Sequence, residues 1–378
     1  MTIGYVHVGA PEHGVSRYGR LLAAEARTRR ALRVLERELP LTGDPEIERQ
    51  RIVELGTQLA GADVVHLQYN SQLTNGVWGA AWEPLRRLRL LARSVRAPLA
   101  VTLHDVCTLP PLSAREILRD PVQGVRTTRL RAPQYVTLQW LRRRTARLLV
   151  CSEYERARAG ARHPRVTVIP HFVERRELPT STGAAKAALG LEGKRVVTLL
   201  GYIHQRKGHA LLIDALAELP ADVVVVFAGG TPQADDSFLR SLWSRAAERG
   251  VSDRLRVTGF VPDEELTPYL AATDLAVCPF RSMSASGSLS TWIAVERPIL
   301  ASDLPQIAEY NTLEPGVIRT FTPITASSLA QTIRAALDVD PSNGCEARSR
   351  LRAKLLLPSI FDRHMKVYRE MSCQPIKG

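Results

Sequence analysis

The residues best suited to chemistry lie in GYIHQRKG, from Gly201 to Gly208. Arg206 and Lys207 stand directly before a glycine. A cation so placed can neutralise a diphosphate, while the glycine lets main-chain N–H groups come close to it. Taken alone, the stretch fits any anion-binding α/β protein, or a basic surface loop. A second candidate is His104, in TLHD at the end of an apolar run. A strand-end imidazole can exchange a proton near neutral pH, and it can equally be structural. Asp105 follows it and could touch a substrate or cap the next turn. A third candidate is SASGSLS (284–290). Its backbone N–H groups and the hydroxyls of Ser284, Ser286 and Ser288 could form a nest for an anion, or simply a flexible Ser/Gly loop.

These groups need elements to hold them. VVTLL before Gly201 is apolar and β-branched, and reads as a buried strand; Leu211, Leu212, Ile213, Ala215 and Leu216 then pattern a helix. Strand, basic loop and helix recur throughout. The first half reads as strands TIGYVHV, ADVVHLQY, APLAVTLH, ARLLVCS and VTVIP, with helices SRYGRLLAAEA and Pro84–Val95 between them. The second half reads as strands RVVTLLG, DVVVVFAGG, RLRVTGFV, DLAVCPF and RPILAS, again separated by helices. Such alternation predicts two parallel sheets covered by helices, each a doubly wound, Rossmann-like domain. A polar stretch, Glu174–Gly183, reads as the linker. The expected domains are 1–180 and 181–355, with 356–378 as a C-terminal helix. Ligands belong at the carboxyl ends of such strands.

Composition narrows the function. The chain has 378 residues, which suits two domains of similar size. No apolar run is long enough to span a membrane, and the N-terminal residues lack a signal-peptide pattern. Cys107, Cys151, Cys278, Cys345 and Cys373 are odd in number and scattered. They have neither disulfide-framework nor zinc spacing, which predicts a reducing, cytoplasmic setting. The net charge of +13 is concentrated in Arg115–Arg176, including LRRRTAR at 141–147 and Arg126, Arg129 and Arg131. Aromatics make up only 6%, and no nucleic-acid-binding signature accompanies the arginines. A solvated basic helix face is the plain explanation; peripheral contact with an anionic inner-membrane face is the functional one.

The motifs, taken in order, resemble the retaining GT-B glycosyltransferases of group 1, the family-4-like relatives that include bacterial mannosyl- and glucosyltransferases. The resemblance covers most of the chain. It runs through GAPEHGVSRYGRLLA, TLHD, CSEYER, VIPHFVE, G-x5-KG at Gly201–Gly208, AGG at 228–230, VTGFV at 257–261, DLAVCPF, RPILASDLPQIAEY and FDRHMKVYREM. It implies a GT-B fold, with an N-terminal acceptor domain and a C-terminal nucleotide-sugar domain. The C-terminal helix would cross back to the first domain.

The resemblance also implies roles for single residues. Lys207, with Arg206, would neutralise the leaving diphosphate, and His104 would contact the donor sugar. Gly14 would let the backbone approach the diphosphate. Gly201, Tyr202, Gly259, Phe260, Ser286, Gly287, Ser288, Ser290 and Thr291 would line the donor site, and Asp105 and Arg17 the acceptor site. No metal and no cofactor are implied beyond a UDP- or GDP-hexose co-substrate. Two departures stand out. The family's paired glutamates, eight residues apart, are replaced by Met283 and Thr291, and its glycine two residues before the proline is Glu296. The expected activity is retaining, metal-independent transfer of a hexose to a glycan, lipid-linked or natural-product acceptor. The alternative is a degenerate, non-catalytic relative that binds a nucleotide or a partner enzyme. Cys107–Gln134 is expected to form a long loop at the acceptor cleft.

Overall fold

The computed structural model describes residues 1–9, 14–70, 82–106, 121–231, 237–283 and 285–373, with side chains between 121 and 131 left aside. Twelve strands form in chain order: β1 (Thr2–Val8), β2 (Arg33–Leu39), β3 (Val64–Tyr69), β4 (Leu99–Leu103), β5 (Arg147–Val150), β6 (Val166–Val168), β7 (Arg195–Leu200), β8 (Val223–Ala228), β9 (Leu255–Val257), β10 (Leu275–Cys278), β11 (Ile299–Ser302) and β12 (Ile318–Phe321). They make two six-stranded sheets, ordered β2-β1-β3-β4-β5-β6 and β12-β11-β10-β7-β8-β9. Every strand pairing in both is parallel.

The chain divides into two compact units, Met1–His171 with Leu357–Gly378, and Phe172–Leu356. The change therefore falls at His171/Phe172 rather than at residue 180. Residues after 171 are held by the second unit: Val173 N–H donates to the Leu355 carbonyl at 2.8 Å, and Arg176 pairs with Asp263.

In the first unit, Val65, Leu67 and Tyr69 of β3 join an apolar core with Val6, Val8, Val101 and Leu103. Alternation sends His66 and Gln68 to the opposite face. That face is also covered. Helix Gly14–Thr28 lies so close there that a Cβ on Gly19 would come within 2.8 Å of Gln68. Helix Leu357–Ser372 buries Phe361, His364 and Tyr368 in the same unit. The result is a buried sheet face lined by Tyr5, His7, His66 and Gln68.

Burial of these imidazoles fixes a pH response. The His364 pKa is lowered to about 4 by desolvation, and His66 is held well below its ordinary value by burial and by the neighbouring histidines. The unfolded chain takes up these protons near pH 6.5, whereas the folded chain resists. Stability is therefore intact above pH 6.5 and declines as the pH falls toward 4. His364 alone contributes about 3 kcal/mol to that decline. Urea midpoints for the wild type should fall between pH 7 and 4, and His364→Gln should flatten the slope; an unchanged slope would contradict this assignment.

In the second unit, Val197, Leu199, Val223, Val225, Phe227, Val277 and Leu300 pack with helices His209–Ala217 and Ala326–Leu337 into one core. Strand order reverses between β7 and β10, so the crevice of this unit opens at Leu200/Gly201 and Cys278/Pro279. The expected acceptor loop is corrected in part: residues 121–134 belong to helix Pro121–Arg144, which carries Pro133 inside it. A proline within a helix hid that element from the sequence pattern. Residues 107–120 lie outside the described residues.

Candidate functional site

Lys207 stands at the switch point of the second sheet. It follows β7 in a short 3-10 turn, Gln205–Lys207, capped by the His204 side chain, which accepts from Arg206 N–H at 3.2 Å. The Lys207 ammonium donates to the Leu200 carbonyl at 2.9 Å and to Ser288 Oγ at 3.3 Å. It also lies 5.9 Å from the centre of the Phe280 ring. An ammonium has three N–H donors, so one is uncommitted. No carboxylate pairs with Lys207 among the described residues. Burial pulls its pKa down to about 8.

Two glycines make this placement feasible. A Cβ on Gly201 would sit 2.3 Å from Lys207 Nζ, and one on Gly208 would sit 2.0 Å from the Pro279 carbonyl oxygen. Both have positive φ, +100° and +81°. Gly208 therefore serves the close approach of the β7 loop to the end of β10 as well as the turn.

The opposite wall is helix Gly287–Ala294. Ser286 caps it, accepting from Leu289 N–H at 3.3 Å, and its hydroxyl lies 3.1 Å from Ser288 Oγ. The structure thus joins Gly201, Lys207, Ser286, Gly287 and Ser288 around one helix N-terminus, where the peptide dipoles favour an anion. Thr291 donates its hydroxyl to the Gly287 carbonyl at 3.0 Å. Ser290 is buried on the same helix. Ser284 lies outside the described residues. Met283 gives its carbonyl to Gln306 Nε2 at 2.6 Å.

Loops after β8 and β9 extend the rim. A Cβ on Gly229 would meet the Gly201 carbonyl at 2.3 Å, and one on Gly230 would meet Phe260 N at 2.9 Å. Gly259 has φ +74°, and the rings of Phe260 and Tyr202 are exposed. Arg206 is exposed, and its carbonyl accepts from Arg281 N–H at 2.9 Å.

Two features near Lys207 were not legible beforehand. His209, the first residue of the next helix, is fully buried, with both ring nitrogens unpartnered and its edge against Phe227. Burial and the Lys207 charge lower its pKa to about 3, so the ring is neutral near pH 7. Cys278 is a buried thiol pushed up to about 12, which removes it as a nucleophile. Glu296, standing where the resembled family has glycine, adopts φ +56°. Its carboxylate is tied to Arg352 at 2.9 Å and Ser349 at 2.6 Å, and these contacts hold a conformation that a non-glycine residue resists.

The first unit holds the remaining candidates. His104 directly follows β4 and is 7% exposed, with its ring edge-on to Tyr18 at 4.8 Å and Nε2 2.9 Å from Gln68 Oε1. Asp105 beside it is partly exposed. Gly14 opens helix Gly14–Thr28, and nothing lies within 4 Å of a Cβ built there, so packing does not require a glycine. Arg17 is partly buried one turn on.

Two doubly wound parallel sheets, one with Lys207 at its switch point, are the architecture of the GT-B fold. The comparisons agree. Residues 194–338 match the family model "Glycosyl transferases group 1". The chain is 27% identical over 293 residues to 2-deoxystreptamine glucosyltransferase of Streptomyces kanamyceticus, covering 74% of this chain and 69% of that one. It is 25% identical over 323 residues to alpha-D-kanosaminyltransferase of the same organism, covering 79% and 76%. Among solved structures, Anabaena Alr3699/HepE in complex with UDP and glucose aligns with a TM-score of 0.73 at 17% identity, covering 98% of this chain and all of that one. The chain thus has the GT-B fold, and its second unit is similar to the group 1 glycosyltransferases.

Among the described residues no helix is long and apolar enough to cross a membrane.

Proposed function

We propose that this glycosyltransferase moves a hexose from a UDP- or GDP-sugar to a small-molecule or glycan acceptor, with retention and without a metal. The observation carrying this is Lys207: a largely buried ammonium with an uncommitted N–H, facing a helix N-terminus at the switch point. In the reaction, the bond from the sugar anomeric carbon to the diphosphate breaks and its electron pair passes to the phosphate oxygen. Lys207 and Arg206 offset the charge that builds there. The acceptor oxygen bonds to the same face of the anomeric carbon, and its proton passes to the departing diphosphate. His104 contacts the sugar; Asp105 and Arg17 serve the acceptor. Gly14, Tyr202, Gly259, Phe260, Ser290 and Thr291 complete the donor site. The likeness to 2-deoxystreptamine glucosyltransferase supports a small polar acceptor. Peripheral attachment to an anionic membrane is retained as the use of the basic arginines, and salt-sensitive liposome flotation tests it.

The first test is a metal-free thermal-shift panel of UDP, GDP, ADP and dTDP on the wild type and Lys207→Ala. One diphosphate should raise the melting temperature of the wild type and leave the variant unmoved. Binding by none would favour the non-catalytic relative and make the departures at Met283 and Thr291 decisive.

A further inference from the structure

The second unit holds a cavity of about 280 Å³ at the end of its sheet opposite Lys207. Among its lining residues, Arg195, Leu275 and Ile299 open β7, β10 and β11, and Val317 directly precedes β12. The cavity therefore lies at the amino ends of four adjacent strands. β7 has six residues, which puts about 17 Å between this cavity and the crevice at Gly201. Helices Ala326–Leu337 and Cys345–Leu355 complete the wall through Leu337, Ala347 and Arg348.

The floor is apolar, from Leu275, Ile299, Val317 and Leu337, and the charges above it are unevenly matched. Lys186 is neutralised by Asp274 at 2.6 Å, and Arg195 by Asp222 at 2.7 Å. Arg319 and Arg348 also line the cavity, and neither pairs with a carboxylate among the described residues. Arg348 is partly buried. Its Nη1 and Nη2 donate to the Asn343 and Pro341 carbonyls at 2.7 and 2.6 Å, and its Nε is buried without an acceptor. Those carbonyls satisfy N–H groups but bring no counter-charge, so this guanidinium has given up water without gaining an anion.

Arg297, next to the lining residue Pro298, repeats the pattern. It donates to Thr182 Oγ1 at 3.0 Å and to the Ala271 carbonyl at 2.8 Å, and its Nε too is buried and unpartnered. Burial holds the Arg297 pKa below its ordinary value; Asp274 opposes that shift and the Arg348 charge adds to it. The remaining lining carboxylate, Asp340, is exposed and accepts from Ser342 N–H at 2.8 Å. Helix Cys345–Leu355 begins at Gly344 without a side-chain cap, so its first-turn N–H groups add to the positive potential.

We propose that this cavity binds a small organic anion, a carboxylate or phosphate ester on an apolar body, with Arg348 and Arg319 meeting the charge and the floor taking the body. The volume lies at the lower limit of ligand cavities, about 300 Å³, and is too small for a nucleotide sugar. The occupant is a second ligand, bound independently of whatever enters the crevice at Lys207.

Calorimetry on the full chain tests this with phenyl phosphate and benzoate as probes, in a Lys207→Ala background that disables the first anion site. At least one of the two anions should bind with one equivalent, and the pair assigns the head group. Phenol, which lacks the charge, and inorganic phosphate, which lacks the body, should bind at least about tenfold more weakly. Arg319→Ala removes an exposed side chain without an ion pair, so it should fold normally and weaken the anion about tenfold. Arg348→Met should weaken it further; where that variant fails to fold, Ala347→Trp, which fills the cavity, should abolish binding. In the wild type, saturating UDP should leave the anion in place. The proposal is overturned if neither anion binds at millimolar concentration, if Ala347→Trp binds as the wild type does, or if UDP displaces the anion. None of these outcomes depends on turnover, so loss of the glycosyl-transfer reading would leave them standing.

Discussion

Replacing Lys207 with methionine should slow turnover by about two to three decades while making the free protein more stable. The two effects share one cause. Burial lowers the Lys207 pKa from 10.5 to about 8, so holding the charge costs the folded state on the order of 3 kcal/mol near neutral pH. The sign follows from the direction of the shift. A lysine pKa depressed in the folded state means the penalty is fully present below about pH 8. It fades as the pH rises toward the unfolded value. Methionine removes the penalty but leaves the Leu200 carbonyl without its donor, which returns roughly 1 kcal/mol. A net gain of about 2 kcal/mol should raise the melting temperature by roughly 4–8 °C at pH 7. The gain should shrink above pH 9. Saturating-donor kinetics and melting curves check both halves. A variant that is slower and also less stable would show that Lys207 is a structural cation rather than one held ready for an anion.

Gly208→Ala should produce the largest loss of stability in the second unit. Alanine at φ +81° is strained, and its Cβ would overlap the Pro279 carbonyl oxygen, a backbone atom that cannot swing aside. Strain and overlap together cost about 3 kcal/mol or more, roughly 6–12 °C in melting temperature for a unit of this size. The β7 loop must then move away from β10, taking Lys207 with it, so diphosphate binding should be lost as well. Gly250→Ala is the control. Gly250 has φ +65° with nothing within 4 Å of a Cβ, so it suffers the strain without the overlap. Equal losses in the two variants would remove the Pro279 contact from the account.

Much of the second unit was legible because its chemistry is local. Gly201, Lys207 and Gly208 lie within one strand–turn–helix, and the structure gives each glycine a steric reason that the sequence could state only as permissiveness. The first unit was less legible where polarity disguised structure. β2, RVLEREL, is an edge strand whose charged residues break the apolar alternation; Glu36 and Glu38 engage His7 and Arg20 instead. β12 was missed because IRTF is short and interrupted by the exposed Arg319. His66, Gln68 and Tyr368 carried no signal. Their chemistry exists only when β3 and the last helix meet, and no spacing within either segment announces the other. Glu296 stands where the resembled family has glycine, and it adopts a left-handed conformation held by Arg352 and Ser349.

The discontinuity of the first unit has a consequence for how the molecule is made. Its sheet is complete by Val168, but Tyr368, His364 and Phe361 leave the ribosome almost two hundred residues later. Throughout synthesis of the second unit, the polar face of the first sheet has only the cover of helix Gly14–Thr28, and His66 lacks its Tyr368 partner. The second sheet, whose strands are contiguous in the chain, can close during translation. The nascent chain therefore completes its second sheet before helix Leu357–Ser372 can pack into the first unit.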